Sequence, residues 1–213
     1  MKRTLPLPSL ERLCGIYGLL DSLPETLGNR VSSRELGRAI GQTAETVRKD
    51  IAHMKADIVS AGGYDPAELK GAIASCLGLQ EPRRACIAGL GRLGQAILRY
   101  PGFQDAGIEI CAGFDSDTNK LELLASPVPL LPSYRITEYV QKEKISLGII
   151  AVPPDQAQIT ADRLTAGGVR GIVNFTVPVS VPETVNMRHV SVLDELRILA
   201  ALADDADQNI QEK

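Results

Sequence analysis

Three glycines in the segment IAGLGRLGQA, residues 87–96, have the spacing G-x-G-x-x-G of a phosphate-binding loop. The first glycine of such a loop permits a tight turn, the second lets backbone N–H groups approach a pyrophosphate, and the third allows the following helix to pack closely on the preceding strand. The segment is therefore predicted to bind the pyrophosphate of a dinucleotide. The residues predicted to form this loop are Gly89, Leu90, Gly91, Arg92, Leu93 and Gly94.

A carboxylate, Asp115, ends the next apolar run, IEICAGFD, about 20 residues after the glycine loop. At that position a carboxylate accepts hydrogen bonds from both hydroxyls of a ribose and repels a 2′-phosphate. The pattern favours NAD(H) over NADP(H), although the nearby Lys120 argues mildly the other way. Ser116, the neighbour of Asp115, is included in the predicted site. A surface carboxylate at a strand end is the alternative interpretation.

Two later apolar runs, SLGIIAVP and GVRGIVNF, are predicted to be further strands. Because ligands of parallel sheets bind beyond the carboxyl ends of the strands, we expect Val152, Pro153 and Asn174 near the nicotinamide. Alternatively, Pro153 stops a strand and Asn174 caps a turn. Tyr100 ends the helix predicted after the glycine loop, where an aromatic ring is expected to pack on or near the cofactor.

The sequence offers little for acid–base catalysis beside a nicotinamide. A dehydrogenase generally needs a proton donor or acceptor there, most often a histidine. Only His53 and His189 are present. His53 falls in the predicted second helix of the first half and His189 in a linking segment, MRHVS, so neither is directed at a nicotinamide. We therefore expect no catalytic residue, no metal site and no enzymatic role. A small NAD-dependent oxidoreductase that uses Tyr100 or a lysine as the acid is the competing hypothesis.

The elements that position these residues change character near LQEPRR, residues 79–84. Before this joint, from about residue 9, the apolar periodicity is helical. After it, short aliphatic runs alternate with amphipathic stretches as far as about residue 176, which is typical of βαβ units and a parallel sheet. The sequence predicts an α/β chain with a helical first domain. The tail from Asp204 is polar, and we expect it to be loosely ordered.

Two short helices separated by a glycine-containing turn are predicted within VSSRELGRAIGQTAETVRKDIAHM. Ser32 and Glu35 have the spacing of a capping box, Gly41 can end the first helix, and Thr43 can cap the second. This is the arrangement of a helix-turn-helix, whose second helix reads the major groove of DNA. The candidate DNA-contacting residues are the two capping residues and their neighbours on these helices, namely Ser32, Ser33, Thr43, Thr46, Arg48 and Lys49.

Charge alone does not decide between DNA binding and an ordinary helical pair. Residues 1–82 hold 4 Lys and 6 Arg against 4 Asp and 6 Glu, whereas residues 28–55 hold six basic side chains against three acidic ones. A net charge of zero is unfavourable for neutralising phosphates, and a local excess is favourable. Both interpretations therefore remain open on these residues alone.

Composition predicts a packed protein of the cytoplasm. Of 213 residues, 44% are hydrophobic and 23% charged, and no apolar run approaches the roughly 18 residues of a membrane span. The start, MKRTLPLPSLERL, lacks the unbroken apolar stretch of a signal peptide. Four cysteines stand among apolar neighbours without a C-x-x-C pair, so we expect buried, reduced thiols.

The chain resembles the Rex family of redox-sensing transcriptional repressors. The resemblance rests on VSSRELGRAIGQTAETVRKDI, GGYDPAEL, GLGRLGQAILRY, AGFDSD and, most specifically, AVPPDQAQITADRLTAGGVRGIVNFTVPVSVPETV. It implies an N-terminal winged-helix domain (1–82), a Rossmann NAD(H)-binding domain (83–190), and a C-terminal helix and tail (191–213) exchanged between the subunits of a homodimer.

The same resemblance implies a function and residue roles. The protein would repress genes of fermentation and respiration, binding operator DNA when NAD+ is abundant and leaving it when NADH accumulates. Ser33, Thr46, Arg48 and Lys49 would contact DNA, the glycine loop and Asp115 would bind NAD(H), and Tyr100 would belong to the nicotinamide pocket.

Several positions depart from the family pattern. Val59 and Ser60 stand where typical members carry a Lys/Arg pair at the tip of the wing, which removes about two phosphate or groove contacts per subunit. Ser191 replaces an aspartate, and the aromatic residues usual in the last helix are absent. A cofactor-binding dimer that no longer reads DNA and acts through protein partners is therefore a further alternative.

Overall fold

The computed structural model describes residues 5–22, 30–56, 58 and 62–211, with the side chains of the last helix described as far as residue 203. The chain divides into two compact units, Met1–Glu81 and Pro82–Lys213, so the division falls within the segment 79–84. No helix in the described part of the chain combines the length and apolar character needed to cross a lipid bilayer.

The first unit is built from helices and one short pairing of extended chain. Val31 and Tyr64 exchange backbone hydrogen bonds of 2.9 and 2.8 Å as an isolated antiparallel bridge, which brings the chain after the third helix back to the start of the second. The helices are α1 (Leu7–Asp21), α2 (Ser33–Ala39), α3 (Ala44–His53) and α4 (Pro66–Leu77). Their core contains Leu13, Ile16, Leu36, Val47, Leu69 and Ile73.

The predicted helix signals of the two short helices are confirmed. Ser32 and Glu35 form the capping box at the start of α2, and the Thr43 side chain accepts a hydrogen bond from the Thr46 N–H at the start of α3. Gly41, with φ of +66°, lies in the turn between them. The tip of the predicted wing, Val59 and Ser60, lies outside the described residues.

An ion pair between α1 and α3 is buried in this unit. Arg12 donates from Nε and Nη2 to the two carboxylate oxygens of Asp50, at 2.5 and 2.8 Å, and Asp50 is only 2% exposed. Burial raises the pKa of Asp50, but hydrogen bonds from Arg12 and Ser9 outweigh it and hold the pKa below its usual value. The pair joins two helices that are 38 residues apart in the chain.

We expect Asp50→Asn to destabilise the first unit by roughly 2–3 kcal/mol at pH 7, because Arg12 loses the carboxylate while remaining partly buried. Because the pKa of Asp50 is lower in the folded protein than in the unfolded chain, its ionisation stabilises the fold at pH values above the carboxyl's usual pKa of about 3.9. This stabilisation is lost as the pH falls through the lowered pKa. The wild-type advantage over the variant should therefore shrink below about pH 4. Hydrogen–deuterium exchange of the α1 and α3 amides measures the loss of stability in the variant. The exposed pair of Lys49 and Glu45 supplies the control, because Lys49→Met should change the exchange rates little. Equal protection of these amides in Asp50→Asn and wild type would contradict the prediction.

The second unit is a doubly wound parallel sheet. Its six strands run in the order β3-β2-β1-β4-β5-β6 and every neighbouring pair is parallel. The strands are β1 (Arg83–Ala88), β2 (Ile108–Asp115), β3 (Leu130–Pro132), β4 (Leu147–Ile150), β5 (Gly171–Asn174) and β6 (Asn186–His189). Since the order reverses between β1 and β4, a crevice opens there at the carboxyl ends of the strands.

Helices cover both faces of this sheet. They are α5 (Arg92–Leu98), α6 (Gly102–Asp105), α7 (Thr118–Leu123), α8 (Ile136–Lys142) and α9 (Ala157–Gly167). A last helix, α10 (Val192–Gln211), follows β6, and its described side chains are exposed. One apolar core includes buried residues of α8 and α9, and another lies around β1 and α5. The predicted parallel α/β architecture is confirmed.

Three sequence predictions are corrected. His189, placed in a linking segment, lies on the edge strand β6, whose sequence NMRH has no apolar run to signal it. Cys86 and Cys111 are buried as expected, but Cys14 and Cys76 are exposed because they occupy the outward side of their helices. The tail from Asp204, expected to be loosely ordered, continues α10 as helical backbone to Gln211.

Candidate functional site

A cavity of about 410 Å³ opens where β1, β2, β3 and β4 end, and this size is within the range of small-molecule sites. Eight of the predicted cofactor-binding residues line it: Gly89, Gly91, Arg92, Leu93, Asp115, Ser116, Val152 and Pro153. The other lining residues are Ala88, Phe114, Asp117, Lys120, Ser133, Ala151, Gln156 and Thr160.

The first and third glycines of the loop are required by close packing. Gly89 has φ of +96°, and a Cβ there would clash with the carbonyl group of Ala151 at the end of β4. A Cβ on Gly94 would clash with the carbonyl oxygen of Gly89, so α5 can approach the strand only because position 94 has no side chain. These are the roles that the sequence predicts for the two positions.

The second glycine, Gly91, faces open space. It has φ of −69° and serves as the N-cap of α5, where no side chain accepts a hydrogen bond from the first turn. A Cβ there would meet no protein atom within 4 Å. The exposed Arg92 adds a positive charge beside it. Backbone N–H groups and a cation at one mouth of the cavity suit a pyrophosphate.

Asp115 ends β2 and is only 7% exposed. Its Oδ2 accepts hydrogen bonds from the Leu90 N–H at 2.7 Å and from the Lys120 ammonium at 2.8 Å. Its Oδ1 accepts one from the Asp117 N–H at 3.0 Å. Burial raises the pKa of Asp115, but the Lys120 hydrogen bond and the two backbone N–H groups more than offset it and hold the pKa below its usual value. The carboxylate is thus ionised at neutral pH, oriented, and available to a ribose.

Four predicted cofactor residues do not line the cavity. Leu90 is fully buried and contributes its N–H to Asp115, and Gly94 is buried beneath the loop. Tyr100 is 62% exposed and packs edge-on to Phe103, with ring centroids 5.6 Å apart. Asn174 is fully buried and caps a turn by hydrogen bonds to the chain at positions 176 and 177, which was the alternative considered for it.

Several cavity residues that follow strand ends were not predicted from the sequence. Ser133 comes directly after β3, a strand of three residues that is too short for a recognisable pattern. Gln156 and Thr160 belong to the turn and helix after β4, and the Thr160 hydroxyl donates to the Gln156 carbonyl at 2.7 Å. The rule that ligands bind at carboxyl ends would have found Ser133 if β3 had been recognised.

On the helix-turn-helix, the candidate DNA residues are partly engaged with one another. Arg48 Nη1 donates to Ser33 Oγ at 3.0 Å, which ties α3 to the start of α2. Lys49 pairs with Glu45 at 2.7 Å, with both side chains more than two-thirds exposed. Ser32, Thr43 and Thr46 use their hydroxyls in the capping contacts. Exposed pairs of this kind contribute little to stability.

Fold and site together define a class: a dinucleotide-binding protein of the doubly wound type that also carries an N-terminal helix-turn-helix unit. Family models agree, since one described as "CoA binding domain" matches residues 80–177 and one described as "Putative DNA-binding protein N-terminus" matches residues 4–52. The chain belongs to the Rex family.

The curated relatives that show this are redox-sensing transcriptional repressors named Rex. The Rex of Clostridium beijerinckii is 32% identical over 96% of this chain and 98% of its own length. The Rex of Clostridium botulinum is 33% identical over 97% of this chain and 99% of its own. The Rex of Porphyromonas gingivalis is 32% identical over 92% and 90%.

Solved structures of RSP, a Rex-family repressor, are similar over the whole chain. RSP in complex with β-NADH has a TM-score of 0.87 at 29% identity, covering 99% of this chain and 100% of that one. RSP in complex with β-NAD+ and operator DNA has a TM-score of 0.86 at 28% identity, covering 98% and 97%.

Proposed function

We propose that this protein is a redox-sensing transcriptional repressor that binds operator DNA as a homodimer and is released from it by NADH. The observation that carries the proposal is a nucleotide cavity with an oriented ribose-type carboxylate, Asp115, on the same chain as a capped helix-turn-helix. A relative of the same fold has been solved with NADH and, separately, with NAD+ and operator DNA.

In this proposal the cavity binds NAD(H). The glycine loop and Arg92 hold the pyrophosphate, Asp115 and Ser116 lie on the adenosine side, and Val152 and Pro153 lie on the nicotinamide side. This division follows from the strands to which the residues are attached, since β2 ends on one side of the loop and β4 on the other. Leu90, Gly94 and Asn174 act by supporting the backbone around the cavity. Tyr100 does not line the cavity of the single chain, so its contact with the nicotinamide requires a different arrangement, such as the one in the proposed dimer.

The homodimer is supported by the last helix, α10. Along it an apolar stripe of exposed residues recurs every three to four positions, and all of its members are more than half exposed: Val192, Leu193, Leu196, Leu199 and Leu202. An apolar stripe of this kind is stable in water only when covered. We infer that a second copy of the chain covers it by exchange of α10.

Release of DNA follows if NADH favours a dimer whose two winged units do not match both half-sites. A tenfold preference of NADH for that conformation supplies about 1.4 kcal/mol per site, or roughly 2.8 kcal/mol for two, which changes operator occupancy about a hundredfold when coupling is complete. Because operator DNA and NAD(H) are both present in the cytoplasm, we propose that the protein acts there.

Catalysis is not part of the proposal. No histidine, tyrosine or cysteine lines the cavity among the residues that the structure describes. Lys120 does line it, but its ammonium is paired with Asp115 Oδ2 at 2.8 Å. The buried carboxylate there, Asp115, has a lowered pKa and three hydrogen-bond donors, so it does not carry a transferable proton at neutral pH. The relatives described above are named as transcriptional repressors.

The test is an operator titration at fixed salt with NAD+ and with NADH, using an operator obtained by selection from random-sequence DNA. We expect about a hundredfold weaker binding with NADH. Equal affinities would remove the sensing function. Arg48→Met should weaken binding to the operator in both nucleotide states, whereas Lys142→Met, at the exposed end of α8, should not.

A second candidate is an NAD(H)-binding dimer that has lost DNA binding and acts through protein partners. It is favoured by the zero net charge of residues 1–82 and by the pairing of Lys49 with Glu45. Failure of the selection to enrich any sequence at low salt would support this candidate instead.

A further inference from the structure

The nucleotide cavity contains a cation next to its ribose-type carboxylate. Lys120 lies on α7, its side chain is 32% exposed, and its ammonium pairs with Asp115 Oδ2 at 2.8 Å. Both residues line the cavity. The ammonium of Lys120 therefore partly neutralises the negative charge of Asp115, which would otherwise repel a 2′-phosphate.

The hydrogen bonds already made by Asp115 leave few acceptor positions for a ribose. A carboxylate has about four lone-pair positions. Leu90 N–H and Lys120 occupy those of Oδ2, and Asp117 N–H occupies one of Oδ1. One position on Oδ1 stays available while Lys120 is in place, so a ribose donates one hydrogen bond, and a second only if Lys120 moves away from Oδ2.

The charges on one wall of the cavity, formed by Asp115, Asp117 and Lys120, do not cancel completely. Asp117 also lines the cavity, and its carboxylate is engaged with the N–H groups of Asn119 and Lys120 at the start of α7. Two carboxylates and one ammonium leave the wall acidic. Ser116, exposed between the two aspartates, adds a hydroxyl that can donate to a phosphate oxygen.

We propose that Lys120 is a specificity-determining residue that reduces the discrimination of this site between NAD(H) and its 2′-phosphorylated form, NADP(H). The inference rests on the proposed binding of NAD(H) in this cavity. Wild-type protein then prefers NADH but retains measurable affinity for NADPH, because the Lys120 ammonium can pair with a 2′-phosphate in place of Asp115. An opposite charge within about 4–6 Å of an ionised group favours its charged form by about one pKa unit or more, which is a factor of about ten or more in the equilibrium constant.

The test is calorimetric titration of full-length protein with NADH and with NADPH at pH 8 and fixed low salt. In Lys120→Met the ratio of the two dissociation constants should rise by about tenfold in favour of NADH. NADH affinity should change much less than NADPH affinity, since a ribose hydroxyl carries no charge for Lys120 to neutralise. Lys120→Arg, which keeps the charge, should retain the wild-type ratio.

Lys142→Met is the matched control, since it removes an exposed lysine away from the cavity and should leave both constants unchanged. A ratio in Lys120→Met equal to that of wild type would overturn the assignment of Lys120 while leaving NAD(H) binding intact. Wild-type protein that binds neither nucleotide would instead overturn the proposed function, and this inference with it.

Discussion

Gly91→Val is expected to weaken NADH binding at least a hundredfold, equivalent to about 2.8 kcal/mol, while the protein remains folded. Position 91 has an ordinary φ of −69° and no protein atom within 4 Å of a would-be Cβ, so the fold tolerates a side chain there. The same open space is where the pyrophosphate is proposed to meet the loop N–H groups. Two isopropyl methyls would occupy it and separate the phosphate from its charge-assisted hydrogen bonds.

Two further variants separate binding from folding. Gly71→Val, in the middle of α4 and also without neighbours around its Cβ, is the matched control and should bind NADH like wild type. Gly94→Ala should instead lower the free energy of unfolding, because its Cβ would clash with the Gly89 carbonyl. Nucleotide titration together with urea unfolding distinguishes the three. Wild-type NADH affinity in Gly91→Val would show that the pyrophosphate does not lie on this loop.

Leu199→Asp is expected to convert the proposed dimer into monomers. Leu199 is 59% exposed on the apolar stripe of α10, and burying a leucine contributes about 1.5–3 kcal/mol. In a two-fold symmetric dimer the loss is counted twice, and a buried unpaired carboxylate adds a further cost. We expect the dimer dissociation constant to rise by more than a hundredfold, with operator affinity falling in parallel because only one half-site is then bound.

Sedimentation equilibrium measures this directly. Ala201→Asp is the matched control, since helical spacing of 100° per residue places position 201 on the side of α10 away from Leu196 and Leu199, and it is exposed. It should remain dimeric. A dimeric Leu199→Asp would mean that α10 is covered by something other than a second copy.

The helix caps and the glycine loop could be predicted from the sequence because short-range sterics and hydrogen bonding determine them. Ser32 with Glu35, and Thr43 with Thr46, form their caps within four residues of chain. The glycine loop was equally readable, because a backbone turn with φ of +96° at Gly89 restricts the residue type at that position. Runs of six and eight residues for β1 and β2 were long enough to be recognised.

Other features depend on contacts that no local pattern contains. Asp50 is one of several polar residues on α3, and its buried carboxylate is paired with Arg12, which is 38 residues earlier in the chain. The short strand β3, of three residues, leaves no periodicity from which Ser133 could be assigned to the cavity. Tyr100 was expected at the cofactor by its position in the sequence, yet within this chain it packs on Phe103.

By itself, the sequence determined the two kinds of unit, the glycine loop, the carboxylate at the end of β2 and the capped helix pair, since each depends on neighbours in the chain. Only the tertiary structure decided that Lys120 pairs with Asp115, that four strand ends share one cavity, and that α10 presents its leucines to solvent. The physical reason is that the order of strands and the packing of helices bring together residues from distant segments. Burial, pairing and charge compensation arise only from that assembly.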